Sequence, residues 1–119
     1  MKSKECVFCD VAKGKKVGNN EIIMEGDNFL ALKDTNQRIK GHLLVIPKKH
    51  YVTLLDIPNK LGNELLTFTK KVCSYVLDKK MGNGFDIEMN NLEVAGQVIM
   101  HAHIHILPRN EGDGLKPIE

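Results

Sequence analysis

Val98-Ile99-Met100-His101-Ala102-His103-Ile104-His105-Ile106-Leu107 is the stretch of this chain that says most about its fold. From Met100 onward, apolar residues and imidazoles alternate one for one. Side chains of a β-strand point to opposite faces in turn. Read as a strand, the stretch puts His101, His103 and His105 on one side, with Val98, Met100, Ala102, Ile104 and Ile106 on the other. One face is then core and the other a row of rings. Buried polar groups without partners cost ~1–3 kcal/mol each, so such a row needs a purpose.

The flanking chain supplies the elements this strand would pack with. A single long helix is expected from Asn59 to Lys80, where Leu61, Leu65, Phe68, Val72, Val76 and Leu77 recur at helical spacing. Pro58 stands at its start and Gly82 at its stop. Glu21–Glu25 and Phe29–Lys33 read as strands around the turn Gly26-Asp27-Asn28, and His42–Ile46 as a short buried strand ended by Pro47. Phe85–Asn90 alternates, with Phe85, Ile87 and Met89 on one face, before a polar loop from Asn91 to Gly96. Val7–Ala12 fits a short helix stopped at Gly14. Lys13–Asn20 reads as an exposed loop, and the tail from Pro108 to Glu119 shows no periodicity. The expected class is α+β: a mostly antiparallel sheet of about five strands, one long helix and a short N-terminal helix.

Length and composition bound the rest. The chain's 119 residues suit one domain spanning 1–119, and its 42% apolar and 27% charged residues are ordinary for a globular protein. No apolar run reaches the ~18 residues of a membrane span, and Met1–Glu5 lacks a signal peptide's apolar stretch. The expectation is a cytoplasmic protein with no membrane partner. Seventeen basic residues against fifteen acidic ones leave a net charge of +2, which argues against nucleic acid as a partner and leaves small anions open. Three cysteines make no complete disulfide set. The close pair Cys6 and Cys9 reads as metal-binding or redox, and Cys73 on the long helix as a packed thiol.

Three readings of the histidine row compete: a metal site using all three rings, acid–base or nucleophilic catalysis, and plain core histidines. In a strand, His101 and His105 lie ~13 Å apart, too far for both to join a tetrahedral ion. Catalysis fits better. Imidazole, with a pKa near 6.5, is largely neutral and nucleophilic at pH 7, and a neighbouring ring can serve as donor.

The pattern His101-Ala102-His103-Ile104-His105-Ile106-Leu107 resembles the signature of the histidine triad (HIT) superfamily of nucleotide hydrolases and transferases. The likeness continues through Cys6-Val7-Phe8-Cys9, Phe29–Asp34, Gly41-His42-Leu43-Leu44-Val45-Ile46-Pro47-Lys48-Lys49-His50, Asn90, Gly96-Gln97-Val98 and Pro108-Arg109. The resemblance implies cleavage at the α-phosphate of a dinucleoside polyphosphate or nucleoside phosphoramidate, with a purine nucleotide as substrate. His103 matches the nucleophile that forms a covalent nucleotidyl-histidine, and His105 the ring that contacts the α-phosphate. Gln97, Val98 through its amide, and Asn90 match contacts to phosphate or leaving group; Asp34 matches the acceptor for the ribose hydroxyls. Many relatives carry Ser or Thr where Val98 stands. Zinc-binding relatives hold a structural zinc at the positions of Cys6, Cys9, His50 and His101. A twofold homodimer is also implied. The competing reading is a nucleotide-binding or scaffold module in which turnover is incidental.

Overall fold

The computed structural model describes residues 6–14 and 21–116. Its elements are α1 (Val7–Ala12), β1 (Ile22–Glu25), β2 (Phe29–Lys33), β3 (Leu43–Pro47), α2 (Gly62–Asp78), β4 (Gly84–Glu88) and β5 (Ile104–Arg109). The strands form one antiparallel sheet in the order β1-β2-β3-β5-β4. The expected α+β class and its sheet of five strands are what the structure shows. Residues 1–5, the 15–20 part of the expected loop and residues 117–119 lie outside the described residues.

Each face of the sheet is covered by one helix. α2 closes the side formed by Phe29, Ala31, Leu43, Val45 and Ile106, contributing Phe68, Val72 and Val76. α1 closes part of the other side, where Phe8, Cys9 and Val11 meet Leu30, Leu32, Leu44 and Ile46. Each large apolar side chain buried in this way contributes about 1.5–3 kcal/mol. None of the described helices is long and apolar enough to cross a membrane.

The long helix is shorter than its periodicity suggests. Asn59–Leu61 form a 3-10 turn and α2 proper begins at Gly62, so Pro58 caps that turn and does not open the helix. Leu77 falls one residue past Val76, off the buried stripe, and is 41% exposed. Lys80, at φ +57°, is the left-handed residue just beyond the helix. Gly82 is needed for another reason: a Cβ there would lie 2.8–3.1 Å from backbone atoms of Gly84 and Arg109.

The histidine stretch departs most from expectation. Only Ile104–Arg109 is strand, and it runs on through Pro108 and Arg109 into what had read as an aperiodic tail. β3 pairs with β5 through Val45↔Ile104, Leu44↔His105 and Leu43↔Ile106. Before Ile104 the chain lies outside the ladder. The Pro47 carbonyl accepts from Nε2 of His101 at 2.8 Å, and the Ala102 N–H reaches past β3 to the Tyr51 carbonyl at 2.6 Å. The strict alternation expected for 98–103 is therefore lost. His101, Ala102 and His103 are all buried in succession, and Val98 is 88% exposed. Within β5, Ile104 and Ile106 face α2, and His105 takes the opposite side.

β3 is shifted one residue from its expected start, leaving His42 just ahead of it. β4 ends at Glu88, short of Asn90, and forms one edge of the sheet. Its apolar face looks outward, with Phe85 38% and Ile87 53% exposed.

Candidate active site and metal centre

Two side-chain clusters sit on the sheet face opposite α2. The first gathers the N-terminal arm, the end of β3 and the irregular segment before β5. Cys6 is the N-cap of α1, its Sγ accepting the Cys9 N–H at 3.4 Å, which turns both thiols the same way. Nδ1 of His101 lies 3.3 Å from Cys6 Sγ, 3.5 Å from Cys9 Sγ and 3.2 Å from Nδ1 of His50; Cys9 Sγ and His50 Nδ1 are 3.2 Å apart. All four donor atoms fall within 4.8 Å of one another. A tetrahedral ion with Zn–S of about 2.3 Å and Zn–N of about 2.0–2.1 Å has edges of roughly 3.3–3.8 Å. Two thiols and two imidazoles at this spacing fit zinc in both chemistry and size. Burial, with Cys6 alongside, pushes the Cys9 thiol up to about 11, so binding an ion here must displace protons.

The second cluster carries the remaining rings. Nδ1 of His103 lies 2.8 Å from the backbone carbonyl of His101. A carbonyl only accepts, so Nδ1 carries the proton and Nε2 of the neutral ring keeps its lone pair. Phe8 packs edge-on against both His101 and His103, at 5.7 and 5.2 Å between ring centres. His105 stands 5.0 Å from His103, closer than strand spacing alone gives. His105 in turn meets His42, with Nδ1 2.9 Å from Nε2 of that ring, and His42 Nε2 is 3.4 Å from the Asp34 carboxylate. Burial lowers His105 to about 4, with His103 and His42 adding to the fall; burial lowers His42 as well. Burial therefore favours the neutral form of His42 and His105 near pH 7.

Residues 15–112 match the HIT domain family. The chain belongs to this family. A HIT-like protein of Methanocaldococcus jannaschii is 43% identical over 111 residues, covering 92% of this chain and 82% of its own. The adenylylsulfatase HINT3 of Arabidopsis thaliana is 36% identical over 93% of this chain, which spans only 55% of that protein's length. Among solved structures, a Zn-bound histidine triad family protein from Mycobacterium smegmatis superposes with a TM-score of 0.84 at 32% identity, covering 97% of this chain and 82% of that one.

The structure brings His101, His103, His105, His42 and Asp34 into one region, and gives Gln97, Asn90 and Val98 the following surroundings. The Gln97 side chain is buried and engaged with backbone: Oε1 accepts the Leu92 N–H at 2.6 Å, and Nε2 donates to the carbonyls of Val52 at 2.6 Å and Ile99 at 3.1 Å. Through these bonds the Gln97 amide latches the loop. Asn90 donates to the Ala95 carbonyl at 2.9 Å and braces the turn at Gly96, whose φ is +97°. Val98 stands out in solvent with an apolar side chain.

His42 is the site residue that sequence reasoning left without a role. Phe8 is another. The signal for His42 was its place two residues before Leu44, the direct partner of His105, which puts it on the same face of the sheet.

Proposed function

We propose that this HIT protein is a nucleotide hydrolase that cleaves at the α-phosphate through a covalent nucleotidyl-histidine. The observation that carries the reading is the 2.8 Å bond from His103 Nδ1 to the His101 carbonyl. It leaves Nε2 as the basic, nucleophilic atom of a ring that burial and Phe8 hold in one orientation. Nε2 attacks the α-phosphorus, a P–N bond forms, and the bond from phosphorus to the leaving group breaks with its electron pair. Water then opens the P–N bond, releasing nucleoside monophosphate and the free ring.

His105, its ring centre 5.0 Å from that of His103, is the ring we assign to the α-phosphate. Asp34 is a partly accessible carboxylate at the end of β2 and suits the ribose hydroxyls. The expected substrates are purine nucleotides: dinucleoside polyphosphates, phosphoramidates and, given the adenylylsulfatase relative, adenylyl sulfate. Zinc held by Cys6, Cys9, His50 and His101 would serve structure, since four protein donors leave no position for substrate. A twofold homodimer through the β4 edge would cover Phe85 and Ile87, apolar groups that a lone sheet edge leaves in water.

Substrates labelled in the nucleotide, quenched in denaturant without acid during turnover, should leave label on the peptide containing His103. His103→Ala should lose at least ~10³-fold in kcat, more than general acid–base assistance typically supplies, with nucleoside monophosphate affinity changed by less than about tenfold. Label on His105, or a variant that keeps most of its rate, overturns the mechanism. Tight nucleotide binding with no turnover of any of these substrates would favour a binding module instead.

A further inference from the structure

His42 is 1% exposed, and both of its ring nitrogens have partners. The backbone N–H of Arg38 donates to Nδ1 at 3.2 Å. A nitrogen that accepts a hydrogen bond carries no proton, so the neutral ring bears its hydrogen on Nε2. That atom faces Nδ1 of His105 at 2.9 Å, with the Asp34 carboxylate at 3.4 Å to one side. Because His42 Nε2 is the donor, His105 Nδ1 can only accept. The proton of His105 must then sit on its Nε2.

We infer that His42 is a positioning residue. The Arg38 N–H, His42 and His105 form a one-way chain of hydrogen bonds that fixes His105 as an Nε2–H donor, the opposite tautomer to His103. This rests on the reading of the row as the phosphate site. Two neighbouring rings then offer a lone pair and an N–H side by side. Attack at phosphorus uses both: the lone pair at the phosphorus, and the donor at an oxygen where negative charge grows. Left to itself, a neutral imidazole holds its proton on either nitrogen, and the molecules with it on Nδ1 would present the wrong atom.

The chain is anchored at its far end too. The Arg38 guanidinium grips both carboxylate oxygens of Glu88, and Glu88 is the direct partner of His105 across β4 and β5. The amide that starts the chain is thus tied to the strand beside the ring that ends it. Burial keeps both rings neutral, the state in which the bonds have a direction.

The tautomers are read directly by multiple-bond 1H–15N correlation on 15N-histidine-labelled holoprotein near neutral pH. His105 and His42 should show Nε2–H, and His103 Nδ1–H. In His42→Leu, His105 should lose its single tautomer and kcat should fall about 10–100-fold, the range that loss of the outer partner of a metal-bound histidine gives. KM should change by less than about threefold. His42→Gln can place an amide N–H where Nε2–H stood and should recover most of the rate. Nδ1–H at His105 in the wild type overturns the inference whether or not the protein hydrolyses anything, as does equal loss in both variants with the tautomer unchanged. An Nε2–H tautomer in a protein that turns over no nucleotide sinks the hydrolase reading and leaves the chain standing. Should His42→Leu not fold, the wild-type spectrum and the Gln variant decide.

Discussion

Nε2 of His101 sits 2.8 Å from the carbonyl oxygen of Pro47, and this one bond turns the ring's other nitrogen toward the thiols of Cys6 and Cys9. The ring is 0% exposed, so it has no room to flip. A donor pointed this way before any ion arrives loses little orientational freedom on binding, the usual value of a second partner for a metal-ligating histidine.

Protein prepared without chelator should therefore contain about one zinc per chain by elemental analysis. Cys6→Ser with Cys9→Ser should bring it near zero. Zinc retained at full occupancy in that double variant would remove the four-residue cluster as its site.

Asp34→Ala should weaken nucleoside monophosphate binding by ~1.5–3 kcal/mol, the range for a hydrogen bond to a charged group. Calorimetry with 2′,3′-dideoxynucleotides locates the loss: the wild type should discriminate against them and the variant should not. Undiminished discrimination in the variant would assign Asp34 to His42 and the Asn36 amide alone, both of which it already meets.

Stability should decline as pH falls from about 6.5 toward 4. His105 in the folded protein is lowered to about 4 by burial first and by its neighbours His103 and His42 second, while the unfolded ring titrates near 6.5. Between those values the unfolded chain binds the extra proton, so acid favours unfolding and the full stability is present only above about pH 6.5. Melting curves of wild type and His105→Asn across this window isolate the contribution. The variant should show the shallower fall, and parallel curves would mean that His105 titrates alike in both states.

Ile87→Lys should convert a dimer to a monomer. The substitution puts a charge in the middle of the outward face of β4 without touching the site face, and light scattering reports the mass directly. A wild-type mass near 13.4 kDa at micromolar concentration would dispose of the dimer itself.

Gly82→Ala should destabilise the fold by about 1–3 kcal/mol, as overpacking does. The added methyl meets backbone of Gly84 and Arg109, atoms that cannot swing aside. Denaturant midpoints are the measurement, and an unchanged midpoint would show that this crossing is looser than it looks.

Much of this was legible in the sequence where a local pattern and the tertiary packing agree. The run Leu65, Phe68, Val72, Val76 is a helix stripe by spacing and a helix stripe in fact. The triad was legible as a family motif but not as geometry. Its alternation reads as strand, yet the ladder with β3 ends at Val45↔Ile104, although β3 itself runs on to Pro47. His101 and His103 then bond to carbonyls that no spacing rule points to. The role of Gly82 was hidden for the same reason. Nothing near it in the chain reports that Arg109, 27 positions on, will pass within van der Waals reach. Gln97 matched a motif, but what its amide bonds depends on where the Val52 and Leu92 backbone comes to rest.

The partner that sets the orientation of His103 is a main-chain oxygen. No codon change can delete it, because every residue at position 101 carries the same carbonyl. The ring of His105 instead leans on the side chain of His42, which a single nucleotide substitution can replace. Within the proposed site, then, the orientation of the His103 ring is robust to change in its partner, and the tautomer of His105 is exposed to it. Random substitution across the chain should therefore disturb the His105 ring through its partner more readily than the His103 ring through its own.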